Sequence, residues 1–320
     1  LGTSVAISGG TIVAGAPQAG SGNTHAGAAY VFVKPQGGWA NATQTAKLTA
    51  SDGVSGDQFG NSVAISGDTI VVGAWDAPGG RNQGAAYVFL KPQGGWGSAP
   101  LTQVKLTASD AASDNWFGSS VAIDGGTIVV GALGAGSGFQ GAAYVFVEPP
   151  GGWASGHETA KLTASDGAAA DHLGFGGVGV SGGTVVAGAP NGGGNNQGAA
   201  YVFVRPPGGW GSGSPAQAKL TTSDGASGDL FGYSVGVSGD TVVAGAPDAT
   251  VSGQQGQGAA YVFAKPASGW KTGTETARLT ASDGAELDQF GKSVAISGDT
   301  IVAGALTNRP AGADRRTASG

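Results

Sequence analysis

The sequence predicts an all-β fold, a β-propeller of four-stranded antiparallel blades with five full repeats and a half blade. Three observations carry this. The hexapeptide GAAYVF recurs with its tyrosine at Tyr30, Tyr87, Tyr144, Tyr201 and Tyr261, at intervals of 57, 57, 57 and 60 residues, and a fixed period of this kind marks a repeat architecture. Each copy holds four short runs rich in β-branched and aromatic residues, and no stretch has helical periodicity. Apolar residues run consecutively, as in Ile70, Val71, Val72 and in Tyr87, Val88, Phe89, so both faces of each strand must be covered. Sheets stacked radially around an axis, typically about four to eight of them, provide that cover.

The elements of one copy follow in order. SVAIS and TIVVGA are joined by Gly-Asp, Gly-Gly or a similar pair, the connection expected of a tight hairpin. A polar or glycine-rich connection leads to AAYVFL, and a second, ending in GGW or SGW at Trp39, Trp96, Trp153, Trp210 and Trp270, precedes an AKLTAS-type fourth run. That run carries Lys47, Lys105, Lys161, Lys219 or Arg278. Small residues such as Ala64, Gly73, Ala85 and Ala86 would let blades approach near a crowded axis. The reading gives one propeller over 1–305, with repeats 1–58, 59–116, 117–172, 173–230 and 231–289, a half repeat 290–305 and an irregular tail 306–320. Six angular positions are expected, or seven if the parent chain continues.

Composition excludes several functions. The net charge is −6 and the one basic cluster is Arg315 and Arg316, which argues against nucleic acid as a partner. The weakly charged stretch from Ser119 to Val147 is interrupted by Asp124 and several glycines, so no membrane span is expected. Cysteine is absent, which removes disulfides and thiolate metal sites. A chain that starts at Leu1, inside a repeat, reads as a mature or trimmed product, and an extracellular or cell-surface location is the expectation.

The order FG, then SVAISGDTIVVGA or GAP, then GAAYVF resembles the FG-GAP repeat, in particular its bacterial extracellular version related to the integrin α-chain propeller. The resemblance covers residues 1–305, and the GAP triplet stands at 15–17, 188–190 and 245–247. The resemblance speaks to fold rather than to activity; with no catalytic constellation in the sequence, a non-enzymatic scaffold for adhesion or self-assembly is expected, with protein subunits or cell-surface macromolecules as partners. The family's calcium loop, DxDxDG between the first two strands, is not matched. Each hairpin offers at most one carboxylate (Asp68, Asp124, Asp240, Asp299), whereas calcium takes about 6–8 oxygens. No cofactor is therefore expected.

Other chemistry reads as framework. Carboxylates precede each FG: Asp52 and Asp57, Asp110 and Asp114, Asp166 and Asp171, Asp224 and Asp229, Asp283 and Asp288. Five equivalent pairs do not make the one differentiated pair that acid–base catalysis needs, and turn formation is the preferred reading, with metal binding the alternative. Ser181 in GVSGG and Gly177, Gly179 and Gly182 in a GxGxxG match lack the following helix that either motif requires. His25, His157 and His172 have no partner at ligand spacing, and the sequon at Asn41 is expected to be idle. The repeated tryptophans are expected to anchor loops, whereas Trp75 and Trp116, outside the repeat, are the better candidates for stacking on sugars.

Variation between copies concentrates in the connection between the second and third runs. Its residues His25, Trp75, Asp76, Arg81, Asn82, Phe139, Asn191, Asn195, Asp248 and Gln254 are the candidate ligand-binding set. The unfinished last copy should leave an assembly edge at Ile301, Val302, Ala303, Gly304 and Ala305, a template for another strand and for a homo-oligomer or filament. A glycan-binding adhesin is the alternative function, and a propeller hydrolase or lyase a distant third.

Overall fold

The computed structural model describes residues 1–20, 25–77, 81–211 and 216–307. They form five four-stranded antiparallel sheets and one two-stranded sheet, with no helix among them. The first sheet holds β1 (Val5–Ser8), β2 (Thr11–Ala16), β3 (Ala28–Val33) and β4 (Ala46–Leu48). The second holds β5 (Ser62–Ser66), β6 (Thr69–Ala74), β7 (Ala85–Leu90) and β8 (Thr102–Leu106). The third holds β9 (Phe117–Asp124), β10 (Thr127–Ala132), β11 (Ala142–Val147) and β12 (Ala160–Leu162). The fourth holds β13 (Val178–Ser181), β14 (Thr184–Ala189), β15 (Ala199–Val204) and β16 (Ala218–Leu220). The fifth holds β17 (Ser234–Ser238), β18 (Thr241–Ala246), β19 (Ala259–Ala264) and β20 (Ala277–Leu279), and the sixth only β21 (Ser293–Ser297) and β22 (Thr300–Gly304).

Every full sheet is a meander in chain order. Its first turn is a two-residue one, with Ser66 opposite Thr69 and Gly67 at φ 56°, the conformation for which a primed hairpin turn selects glycine. The fourth strands are shorter than the sequence pattern suggests, three residues in all but β8. After Leu48 the chain leaves its own ladder for the next sheet, where Ser51 N–H donates to Gln103 Oε1 at 3.0 Å.

The first strands of successive sheets are neighbours, β1 beside β5, β5 beside β9, and so on to β21. Together they line an axial cavity of about 580 Å³ whose wall includes Ser4, Ser62, Ser120, Ser234 and Ser293. This is the propeller arrangement, with six sheets about one axis. Close approach depends on glycine: a Cβ on Gly73 would lie 2.1 Å from the carbonyl oxygen of Gly118 in the next sheet.

The core is a series of apolar layers between sheets. Val13, Val31 and Leu48 of the first sheet meet Val63, Ile65, Ile70, Tyr87 and Trp96 of the second, and the same layer recurs between the following sheets. Burying a side chain such as Val63 contributes about 1.5–3 kcal/mol. The outer face of the first sheet has no such cover among the described residues, so Val5 is 67 % exposed where its counterpart Val63 is 6 % exposed. At the other end β22 has no third strand among the described residues. The edge is Ile301 to Gly304, and Ala305 falls just past the strand. Leu306 and Thr307 are irregular, and 308–320, the rest of the tail with Arg315 and Arg316, lie outside the described residues.

Candidate functional site

The repeated carboxylates hold sheets to one another. The Tyr87 hydroxyl donates to Asp52 Oδ1 at 2.8 Å and Lys105 donates to Oδ2 of the same group, so a loop of one sheet is clasped by the third and fourth strands of the next. The clasp recurs as Asp110 with Tyr144 and Lys161, Asp166 with Tyr201 and Lys219, and Asp224 with Tyr261 and Arg278. Burial pushes the Asp52, Asp110 and Asp166 carboxyls up, but the hydrogen bonds from lysine and tyrosine more than offset it and hold them below the usual carboxylate range. Burial, reinforced by the facing carboxylate, raises Tyr87, Tyr144 and Tyr201 well above the usual phenol value. On the same rim Ser109 donates to Glu158, and Ser223 to Glu275, both at 2.6 Å.

The second carboxylate of each loop is local. Asp57, Asp171, Asp229 and Asp288 are buried and accept the backbone N–H three residues earlier, from Val54, Ala168, Ala226 and Ala285, at 2.7–2.8 Å. Burial raises Asp57 and Asp229. In the second loop that place belongs to buried Asn115, while Asp114, paired with Asp110 from sequence, sits one residue earlier and accepts from Asn82 Nδ2 at 2.9 Å. Asp283 is exposed. Among the described residues no three His, Asp or Glu side chains converge as a metal site would require. Ser181 accepts the Gly239 N–H of the next hairpin at 3.1 Å, and Asp124 accepts that of Gly182 at 2.8 Å. Trp96, Trp153, Trp210 and Trp270 are buried against the preceding sheet's fourth strand, while Trp39 is exposed.

The variable connections gather on one face, and each is tied to the next sheet by backbone. Asp114, Trp116 and Phe117 N–H groups donate to the carbonyls of Arg81, Asn82 and Gln83 at 2.8–3.0 Å. The same parallel pairing joins Phe139 to His172, Asn195 to Gly228 and Gln255 to Leu287. Each position on this face is therefore composite, built from a loop tip of one sheet and the residue preceding FG in the next. That residue is Gln58, Trp116, His172, Leu230 or Gln289, the fourth sheet having Leu173-Gly174 in place of FG, and it is always at positive φ between 49° and 57°.

The candidate ligand residues fall on this face with different partners. Asp76 accepts from Gln58 Nε2 and is raised by burial, and Asp248 accepts from Gln289 Nε2 at 2.8 Å. The His25 carbonyl accepts from Gly56, the Asn195 carbonyl from Ser227 Oγ, and Gln254 bridges back to Val251. Trp75 and Asn191 are half-buried, Arg81 is exposed and Phe139 is 42 % exposed. The loop residues 21–24 and 78–80 lie outside the described residues. At the position before FG sequence reasoning singled out Trp116 alone as a binding candidate and missed that the whole position varies inside a constant frame; it also missed the position after FG, Asn61, Ser119, Phe175, Tyr233 and Lys292.

The FG-GAP repeat family model matches residues 1–32, 42–89, 101–146, 157–203, 215–263 and 274–319. The chain belongs to the FG-GAP repeat family. Its fold is the family's β-propeller-like scaffold, and the second to fifth matches each start before one sheet's fourth strand and run into the third strand of the next. No curated protein matches the chain.

Proposed function

We propose that this chain is a non-catalytic interaction scaffold, working outside the cell or at its surface, whose composite loop face recognises another macromolecule. One observation carries this reading. Side chains that repeat are spent on clasps between sheets, whereas those that vary lie on a face whose junctions are already made by backbone hydrogen bonds. Variable side chains on a rigid frame are where recognition is expected. The resemblance to extracellular bacterial FG-GAP chains supports the location. The test is radical footprinting of the labelled protein on isolated cell envelopes or matrix. Protection of Arg81, Asn82, Phe139 and Asn195 is expected; protection confined to the outer rim would overturn the reading.

A second reading, self-assembly, is favoured by half-clasps at the two ends. Tyr30 and Lys47 face no carboxylate, and Asp283 no tyrosine or lysine, among the described residues. Strands carrying this repeat's own Tyr, Lys and Asp would complete both beside the β22 edge. Open-ended polymers lost on Ile301→Pro in electron micrographs would support assembly, and a compact monomer would rule it out.

A further inference from the structure

Six side chains form a continuous line across the junctions of the third to sixth sheets. Trp116 and Phe139 have ring centroids 5.8 Å apart, Phe139 and His172 stack at 6.3 Å, and His172 and Phe175 lie 6.3 Å apart. Phe175 meets Tyr233 edge-on at 5.9 Å, and Lys292 Nζ sits 4.4 Å from the Tyr233 centroid. The repeat supplies its own control. At the positions of Trp116 and Phe175 the second sheet carries Gln58 and Asn61, so the scaffold closes without aromatics there.

The change is moreover paired. Gln58 donates to Asp76, and the counterparts of these two residues in the third sheet are Trp116 and Gly134. A Cβ on Gly134 would fall 2.7 Å from the Trp116 ring, so an amide–carboxylate pair has been exchanged for a tryptophan and the space it needs. Phe139 and Phe175 are 42 % and 38 % exposed, and Trp116, Phe139 and His172 all hold positive φ, which is unfavourable for bulky residues. Packing does not ask for this surface.

The line ends at the mouth of the axial cavity, whose wall includes Phe175, Lys292, Asn61 and Ser119. Flat apolar rings, neutral amide and hydroxyl groups and one ammonium with no carboxylate partner among the described residues thus lie together. Resting on the loop face as the recognition surface, we infer that this line binds an acidic oligosaccharide, with pyranose rings on the aromatic faces, hydroxyls toward Tyr233 and Asn61, and a carboxylate at Lys292. Single-stranded nucleic acid also stacks on aromatics but needs a basic groove along its backbone, which one lysine in a chain of net charge −6 does not supply.

The experiment is calorimetric titration of the full chain with oligogalacturonate, cellohexaose and a polyproline peptide. Oligogalacturonate should bind more tightly than cellohexaose. The double variant Trp116→Gln with Phe175→Asn, built from residues of the second sheet, should lose at least about tenfold in affinity, and Lys292→Gln should erase the preference for the acidic sugar. Unchanged circular-dichroism melting confirms that both variants fold. Failure of both sugars to bind, or equal binding by the double variant, overturns the inference. Aromatic-dependent binding of polyproline alone also overturns it while leaving the loop face as a recognition surface, which only the footprint of the preceding section can remove.

Discussion

The outer rim and the loop face of a single junction between sheets follow opposite rules. At the rim the roles of acceptor, hydroxyl donor and cation fall to Asp, Tyr and Lys or Arg four times over. On the face, the residue before FG is glutamine, tryptophan, histidine or leucine. The difference lies in who makes the joint. Rim clasps are side-chain bonds between sheets, so a substitution leaves a buried partner unsatisfied. On the face, backbone groups such as Trp116 N–H and the Asn82 carbonyl make the joint, and the side chain is free to vary.

The sharpest way to break this picture is to attack the backbone joint. Gly84 holds φ 84°, and a Cβ there would lie 1.9 Å from the Phe117 carbonyl oxygen and 2.4 Å from its nitrogen. Gly84→Ala is expected to cost about 4 kcal/mol or more, or to abolish cooperative folding. A melting temperature within a few degrees of the parent would show that the backbone pairing does not join the sheets.

Clasps come next, because the molecule contains both filled and half-filled ones. Asp110→Ala strands the Tyr144 hydroxyl and Lys161 and should cost about 1–3 kcal/mol in urea unfolding. Asp283→Ala removes the equivalent carboxylate where it meets no such pair among the described residues, and should stay within about 0.5 kcal/mol. Equal losses would mean that the aspartate matters for its own loop and not for the next sheet.

Protonation sharpens the same contrast with a sign. The clasp carboxyls Asp52, Asp110 and Asp166 are depressed, so their contribution is present above the ordinary carboxylate value of about 3.9 and is lost as pH falls through the lower folded values. Asp57 and Asp229 are raised, and their contribution runs the other way, being lost as pH rises through their folded values. The clasp tyrosines are raised, so stability held below about pH 10 is lost above it. Denaturant midpoints measured from pH 2 to 11 should fall on both flanks, with Asp110→Asn flattening the acid flank and Tyr144→Phe the alkaline one. Flanks that ignore both variants would detach the clasps from stability.

The constant side was largely legible in the sequence. A fixed period, four β-rich runs and covered strand faces dictate stacked meanders, and constant Asp, Tyr and Lys were visible as constants. Their meeting was not, because Asp52 reaches Tyr87 and Lys105 across a sheet boundary and tens of residues. The ten loop residues were found from variation between copies, yet only half of each composite position lies in those loops. The other half, the residue before FG, was read only at Trp116, because it stands outside the variable connections, and nothing in one dimension says that Phe139 and His172 stack. The loop readings at Asp76 and Asp248 also could not reveal that glutamines from other segments satisfy both carboxylates.

The smallest expected effect is the most informative about the face. Trp116→Gln removes a large aromatic ring, which in a core costs about 3–5 kcal/mol. Here the position is half-buried, its N–H already donates to the Asn82 carbonyl at 2.8 Å, and Gln58 occupies the same place in the second sheet at nearly the same φ, 54° against 49°. What is lost is the ring's contact with Phe139 and Gly134, and what is gained is relief of a bulky residue from the left-handed region. These oppose each other, so the change in unfolding free energy should stay within about 0.5 kcal/mol. A core-sized loss would make Trp116 a packing residue and return the whole line from Trp116 to Tyr233 to the scaffold, whereas a near-zero change leaves binding as the property that the ring serves.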